Sequence, residues 1–340
     1  MNAITILNTI RDNATSDYQN RVPEATQNNI SEIQSAMIDG DNVMVANEFM
    51  ATLLNKLVKS VVHSKLFTNP MKTLKKGHKP LGDTIEEIYN NFLKGEEFDP
   101  TGAKLLERKL PDTKTVYHRM NSKQQYPVTV SREILQKAFA SYEALDAYIS
   151  DTINQLYNSA ELDEFVKTKE LIAIALRNNA MKVVPVADPL TGKENAEEFI
   201  KTVKSYSGLM TFPSDQHNAY LTAQSTDSKP ITTFSRHSEQ VLIIDTITNT
   251  TINVDVLAST FNMSVAEFNE CRKVVIDYFP DKDVRAVLVD EKFFQIYDDL
   301  YNISSFYNGQ GLYTNYYLNV WQTFAYSILV NAVAFKVQAE

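Results

Sequence analysis

The sequence predicts an α+β fold of several linked parts: an N-terminal arm, an extended loop, a long helix and a compact α+β lobe. Three observations predict it. A proline-free helical pattern runs from about Tyr142 to Asn178, with Leu145, Ile149, Ile153, Leu156 and Ala160 on one stripe. Before it, Asp83 to Val130 reads as irregular strand, interrupted by Gly95, Pro100, Gly102, Pro111 and Pro127. After Pro185 and Pro189, short helical and strand-like patterns alternate. At 340 residues the chain exceeds what one simple core usually holds, so two or three lobes are expected.

From Arg11 to Gln34 the chain is rich in Asn, Gln, Ser, Thr and Asp with widely spaced apolar residues, which predicts an extended arm. Phe49, Leu53, Leu54, Leu57, Val58 and Val61 then recur at helical spacing and predict an amphipathic helix over Asn47 to Ser64. Lys72, Lys75, Lys76, His78 and Lys79, broken by Gly77 and bracketed by Pro70 and Pro80, mark the turn-rich base of a projection. The projecting segment is too polar to bury itself. A long hairpin is marginal alone in water, so it should lie on another surface, a neighbouring subunit.

At 1.5 Å per residue the helix over about 142–178 would reach roughly 50 Å. In the last lobe, helices are expected at Glu194–Ser205, Val254–Phe261 and Val265–Cys271, the last with a capping box at Ser264 and Glu267. Strands are expected at Val241–Asp245, Lys273–Tyr278 and Ala286–Asp290. A further helix over Glu291–Tyr301 would precede a turn at Gly309–Gly311 and an aromatic, strand-rich stretch to Val337, in which Trp321 is expected to be buried.

Composition narrows the chemistry. Hydrophobic residues make up 44% and charged residues 22%, which suits a globular chain, and the net charge of -9 disfavours tight nucleic-acid binding. Cys271 is the only cysteine, which excludes an internal disulfide and fits a reducing cytoplasm; a buried structural thiol is expected. Met1 to Asn13 lacks the pattern of a secretory signal. The apolar run Thr323–Phe335, interrupted by Asn331, falls short of the roughly 20 residues that span a bilayer, so a soluble protein with no membrane partner is expected.

No catalytic, cofactor-binding or metal residue is assigned, and no cofactor. Histidines 63, 78, 118, 217 and 237 never stand three or four apart as helical ligand pairs require. Asp39-Gly40-Asp41 and Asp281-Lys282-Asp283 lack the remainder of a calcium loop. The neighbours in Glu86-Glu87, Glu96-Glu97 and Asp298-Asp299 would point apart on a strand rather than converge as an acid-base pair. Gly309-Gln310-Gly311 has no third glycine and no phosphate-cradle setting, and no nucleophile elbow occurs. Lys72, Lys75, Lys76 and Lys79, with Glu86 and Glu87, are instead candidate intersubunit contacts.

Five segments in order resemble the major capsid proteins of small phi-29-like podoviruses, short-tailed phages. They are NPMKTLKKGHKPLGDTIEEIY at 69–89, LYNSAELDEF at 156–165, INVDVLASTFNM at 252–263, RAVLVDEKFFQIYDDLYN at 285–302 and GLYTNYYLNVWQTFAYSILVNAVAF at 311–335. The resemblance implies a Hong Kong 97-type capsid fold. By position, 1–65 would be the arm and short helix, and 66–184 the extended loop (about 80–130) and peripheral lobe with its spine helix (about 142–178). The axial lobe would be 185–305, and 306–340 would return as strands to the peripheral lobe. It further implies self-assembly through pentamers and hexamers, scaffolding and portal (connector) partners, and packaged DNA enclosed without sequence-specific binding. The expected location is the virion, assembled in the host bacterial cytoplasm. No added immunoglobulin-like domain and no lysine-asparagine cross-link are expected. An encapsulin-like non-viral shell and a phage polysaccharide-degrading enzyme are the alternatives.

Overall fold

The computed structural model describes every residue except 1–2, 39–42, 54–66, 99, 102–105, 224–228, 253–271 and 339–340. The expected helices 254–261 and 265–271, Cys271, and the later part of the 47–64 helix lie outside the described residues; the helix Val43–Thr52 is seen. The strands are β1 (Lys75–His78), β2 (Ile85–Asn90), β3 (Thr113–His118), β4 (Ser122–Ser131), β5 (Lys182–Val186), β6 (Gln240–Asp245), β7 (Arg272–Ile276), β8 (Val284–Asp290), β9 (Phe294–Asn308), β10 (Tyr313–Tyr326) and β11 (Ala332–Val337). They form sheets ordered β1-β9-β10-β4, β5-β11-β8-β6-β7 and β2-β3. The chain divides into two compact units, Met1–Asn69 with Ser122–Glu164 and Asp298–Gln322, and Pro70–Asn121 with Phe165–Tyr297 and Thr323–Glu340.

In the first unit the N-terminal segment is helical, not extended. Ala3, Ile6, Leu7 and Ile10 form the buried stripe of a helix over Ala3–Asn13, and further helices follow at Ser16–Arg21 and Ile30–Ile38. The polar residues that suggested an unstructured arm close the connections instead. Asn8 brackets Ala25, donating to its carbonyl at 3.0 Å and accepting from its amide at 2.7 Å. Arg11 donates to the carbonyls of Val22 and Gln19, and Gln19 reaches back to Arg11. These helices share one core with the early part of the long helix and with Tyr316, Leu318 and Val320 of β10.

The long helix runs Tyr142–Arg177, as the sequence pattern requires. It stops in a Schellman motif: Asn179 takes φ 53°, Ala180 N–H donates to Ala175 at 2.8 Å and Asn179 N–H to Leu176 at 3.1 Å. The expected helix over 291–301 is β9. Its aromatic and apolar residues fit either period over so short a span, and pairing with β10 and β1 decides for strand. The β9–β10 turn needs Gly311, where a Cβ would lie 2.3 Å from the Tyr313 ring.

Trp321 is only half-buried. Thr314, Tyr316, Leu318, Val320 and Gln322 take the inner face of β10, so Trp321 falls on the outer face, where the Lys123 ammonium sits 4.7 Å from its ring. In the second unit, the mixed five-stranded sheet carries apolar clusters on both faces. Strands β6 and β8 are central, β6 buried at every position. Helix Lys193–Leu209 covers one cluster with Phe199 and Val203.

Candidate intersubunit surface

The expected projection is a hairpin. β2 and β3 pair antiparallel from Ile85–His118 to Asn90–Thr113, joined to no other strand among the described residues. One side rests on the rest of the second unit through Tyr89 and Val116, which pack on its core cluster. Beyond the paired strands, apolar side chains face solvent: Leu93 is 84% exposed, Phe98 89%, Leu106 92% and Leu110 86%. These four side chains fall on one segment of 18 residues, which makes it a candidate contact surface.

The six polar residues expected at subunit contacts have different settings. Lys79 is buried and donates to the Asp83 carbonyl at 2.7 Å, closing the turn in which Gly82 takes φ 87°. Lys76 donates to the Glu291 carbonyl at 2.6 Å, and burial pulls its pKa below the ordinary lysine value. Glu86 and Glu87, adjacent on β2, point to opposite faces. Exposed Glu86 accepts from the Tyr117 hydroxyl at 3.0 Å, which raises the pKa of that phenol. Glu87 turns inward, 3.1 Å from His118 Nε2, and accepts from Ser327 Oγ at 2.5 Å. Lys72 is exposed and Lys75 half-buried.

The residues that sequence reasoning missed lie at the root and tip of this hairpin. His118, Ser327, Asn91 and Asp112 are scattered polar residues with no shared spacing. Asp112 pairs with Lys114 at 2.9 Å, and hydrogen bonds from Lys114 and Asn91 hold its carboxyl below the usual range. The tip was legible in principle: Phe92, Leu93, Phe98, Leu106 and Leu110 fall in a proline- and glycine-broken stretch with neither a helical nor an alternating period. Among the described residues, no group of three or more His, Cys, Asp or Glu could hold a metal, and no helix is long and apolar enough to cross a membrane.

Solved structures with a similar fold include phage capsids. The Staphylococcus phage Andhra capsid structure matches with a TM-score of 0.65 at 13% identity, over 82% of this chain and 87% of that one. The capsid of cyanophage P-SCSP1u matches at 0.55 and 8% identity, over 83% and 91%. The architecture is thus the Hong Kong 97-type phage capsid fold, an α+β fold.

Sequence comparison places it more finely. Residues 7–336 match the Phi29-like phage major capsid protein family. The major capsid protein of Bacillus phage PZA is 34% identical over 332 residues, covering 97% of this chain and 72% of that protein. That of Bacillus phage B103 is 35% identical over 334 residues, with the same coverage. The chain belongs to the Phi29-like phage major capsid protein family. Its members are structural shell proteins, not enzymes.

Proposed function

We propose that this chain builds the head of a small short-tailed phage, its copies joining head-to-tail into pentamers and hexamers around double-stranded DNA. Closed rings of heterologous contacts suit a projection that leaves one copy and lies on the next. The observation that carries the reading is the hairpin tip with Leu93, Phe98, Leu106 and Leu110 exposed in the single chain. Covering each such side chain contributes about 1.5–3 kcal/mol. A neighbouring copy is the surface that fits a family of shell subunits.

Lys72, Lys75 and Glu86 are proposed to contribute charge at that contact, with Lys76, Lys79 and Glu87 acting mainly by shaping the base of the projection. Scaffolding protein during assembly, a portal at one vertex and assembly in the host cytoplasm complete the proposal. The test is expression with and without the neighbouring phage genes, followed by negative-stain electron microscopy. Uniform closed shells are expected. Discrete monomers even with all partners supplied would overturn the reading.

A further inference from the structure

We infer that Asn91 is a positioning residue for assembly: its side-chain amide sets the angle at which the extended hairpin leaves its own subunit. The inference rests on the shell reading above and adds to it the group that aims the loop. Asn91 stands at the first position beyond β2, where pairing within the hairpin ends, its own N–H donating to the Asp112 carbonyl at 2.9 Å.

The amide of Asn91 acts as a substitute peptide group. Its Nδ2 donates to the Pro230 carbonyl at 2.9 Å, and its Oδ1 accepts from the Thr232 amide at 3.1 Å. In an extended segment the carbonyl of one residue and the N–H two residues later face the same side, so a neighbouring strand would use these two groups. One side chain thereby stitches the hairpin to residues 230–232 as a strand would. The Tyr89 hydroxyl donates to the Thr232 carbonyl beside it, and the Phe92 and Phe234 rings stack with centroids 6.4 Å apart.

The segment so grasped is anchored firmly. Thr233 exchanges backbone hydrogen bonds with Ser214, at 3.0 and 2.9 Å, and its hydroxyl donates to buried Asn331 at 2.6 Å. Ser235 donates to buried Asp290 at 2.6 Å. Next to the clasp, by contrast, the hairpin root borders a recess of about 410 Å³, lined by Glu87, Tyr89, Phe234, Arg236, Asp290 and Lys292 among others. With open space there, the clasp adds to the Tyr89 and Val116 packing and the Glu87–Ser327 bond a fixed point at the far end of β2, from which the rest of the hairpin is aimed.

The experiment pairs two readouts on Asn91→Ala and a control, Thr115→Ser, at an exposed β3 position that makes none of the bonds to 230–232. In the unassembled protein, hydrogen exchange at the Thr232 amide should quicken about tenfold or more in Asn91→Ala, the scale of losing hydrogen bonds that close a local opening. Amides of β6 and β8 should keep wild-type protection. In the shell assay, Asn91→Ala should give several-fold fewer uniform closed shells, and Thr115→Ser should match wild type. Uniform shells from Asn91→Ala at wild-type yield would overturn the inference, as would unchanged Thr232 exchange. Loss of protection throughout β6 and β8 would also overturn it, by making Asn91 a residue of the fold. Failure of the wild type to form shells would count against the shell reading itself, while the exchange readout would still test the clasp.

Discussion

The hairpin β2–β3 and the five-stranded sheet belong to one unit and are stabilised in opposite ways. In the sheet, Leu242, Ile244 and Leu288 face one apolar cluster and Val241, Ile243, Val287 and Val289 the other, so β6 and β8 are covered on both sides. The hairpin has two strands, half-buried residues alternating with exposed ones, and an uncovered apolar tip. The sheet buries its own apolar residues, whereas the hairpin tip leaves Leu93, Phe98, Leu106 and Leu110 exposed in the single chain. On the proposed function the two are complementary: the sheet keeps the body stable before assembly, and burial of the tip contributes to assembly.

The largest effect on the folded chain should come from the sheet. Leu288→Ala removes a fully buried side chain from a central strand and should cost about 2–5 kcal/mol in chemical denaturation of the unassembled protein. A loss below 1 kcal/mol would show that the sheet is not the stabilising centre. Gly82→Ala comes next. Its φ of 87° favours glycine, and the strain should cost about 1–2 kcal/mol, appearing as faster hydrogen exchange near the base of the hairpin.

Trp321→Ala should cost about 1–2 kcal/mol rather than the 3–5 kcal/mol of a fully buried aromatic, because the ring is only partly buried and lies under Lys123. Thermal unfolding of the mutant distinguishes the two values. A smaller effect is expected from Asp290, whose pKa burial pushes above the ordinary carboxylate value despite its hydrogen bonds from Ser235 and the Lys292 amide. A raised folded pKa favours folding at pH below the unfolded value and loses that contribution as pH rises through the folded one. Asp290→Asn should therefore flatten the stability profile just above the ordinary carboxylate pKa; an unchanged slope there would contradict the assignment.

The smallest folding effect should come from the tip. Leu106→Ser should change stability by less than about 0.5 kcal/mol, as exposed substitutions usually do, yet reduce shell yield in the microscopy assay. Normal assembly by this mutant, and by Leu93→Ser, would remove the functional half of the comparison between hairpin and sheet.

Legibility followed locality. The Tyr142–Arg177 helix and strands β6 and β8 appear in the sequence within two residues of where they lie, because a long unbroken stripe or a compact β-branched run admits one period. The segment that became β9 did not, because Phe293, Phe294, Tyr297, Leu300 and Tyr301 suit a helix as well as a strand over that length. The N-terminal segment misled for another reason: its Asn, Gln and Arg side chains bond to backbone 8 to 17 residues away. Composition shows their polarity but not their partners.

Of the candidate surface, the charged base and the existence of a projection were readable from turn residues and lysine clustering. The inward turn of Glu87 toward His118 and Ser327 was not, since its partners lie 31 and 240 residues away. By itself, then, the sequence determined the periods, the breaks and the ordered segments shared with phage shell proteins, all properties of neighbouring residues. Only the tertiary structure decided that 294–308 is strand, that Trp321 faces outward and that Asn91 grips residues 230–232, because each depends on pairings between segments remote along the chain.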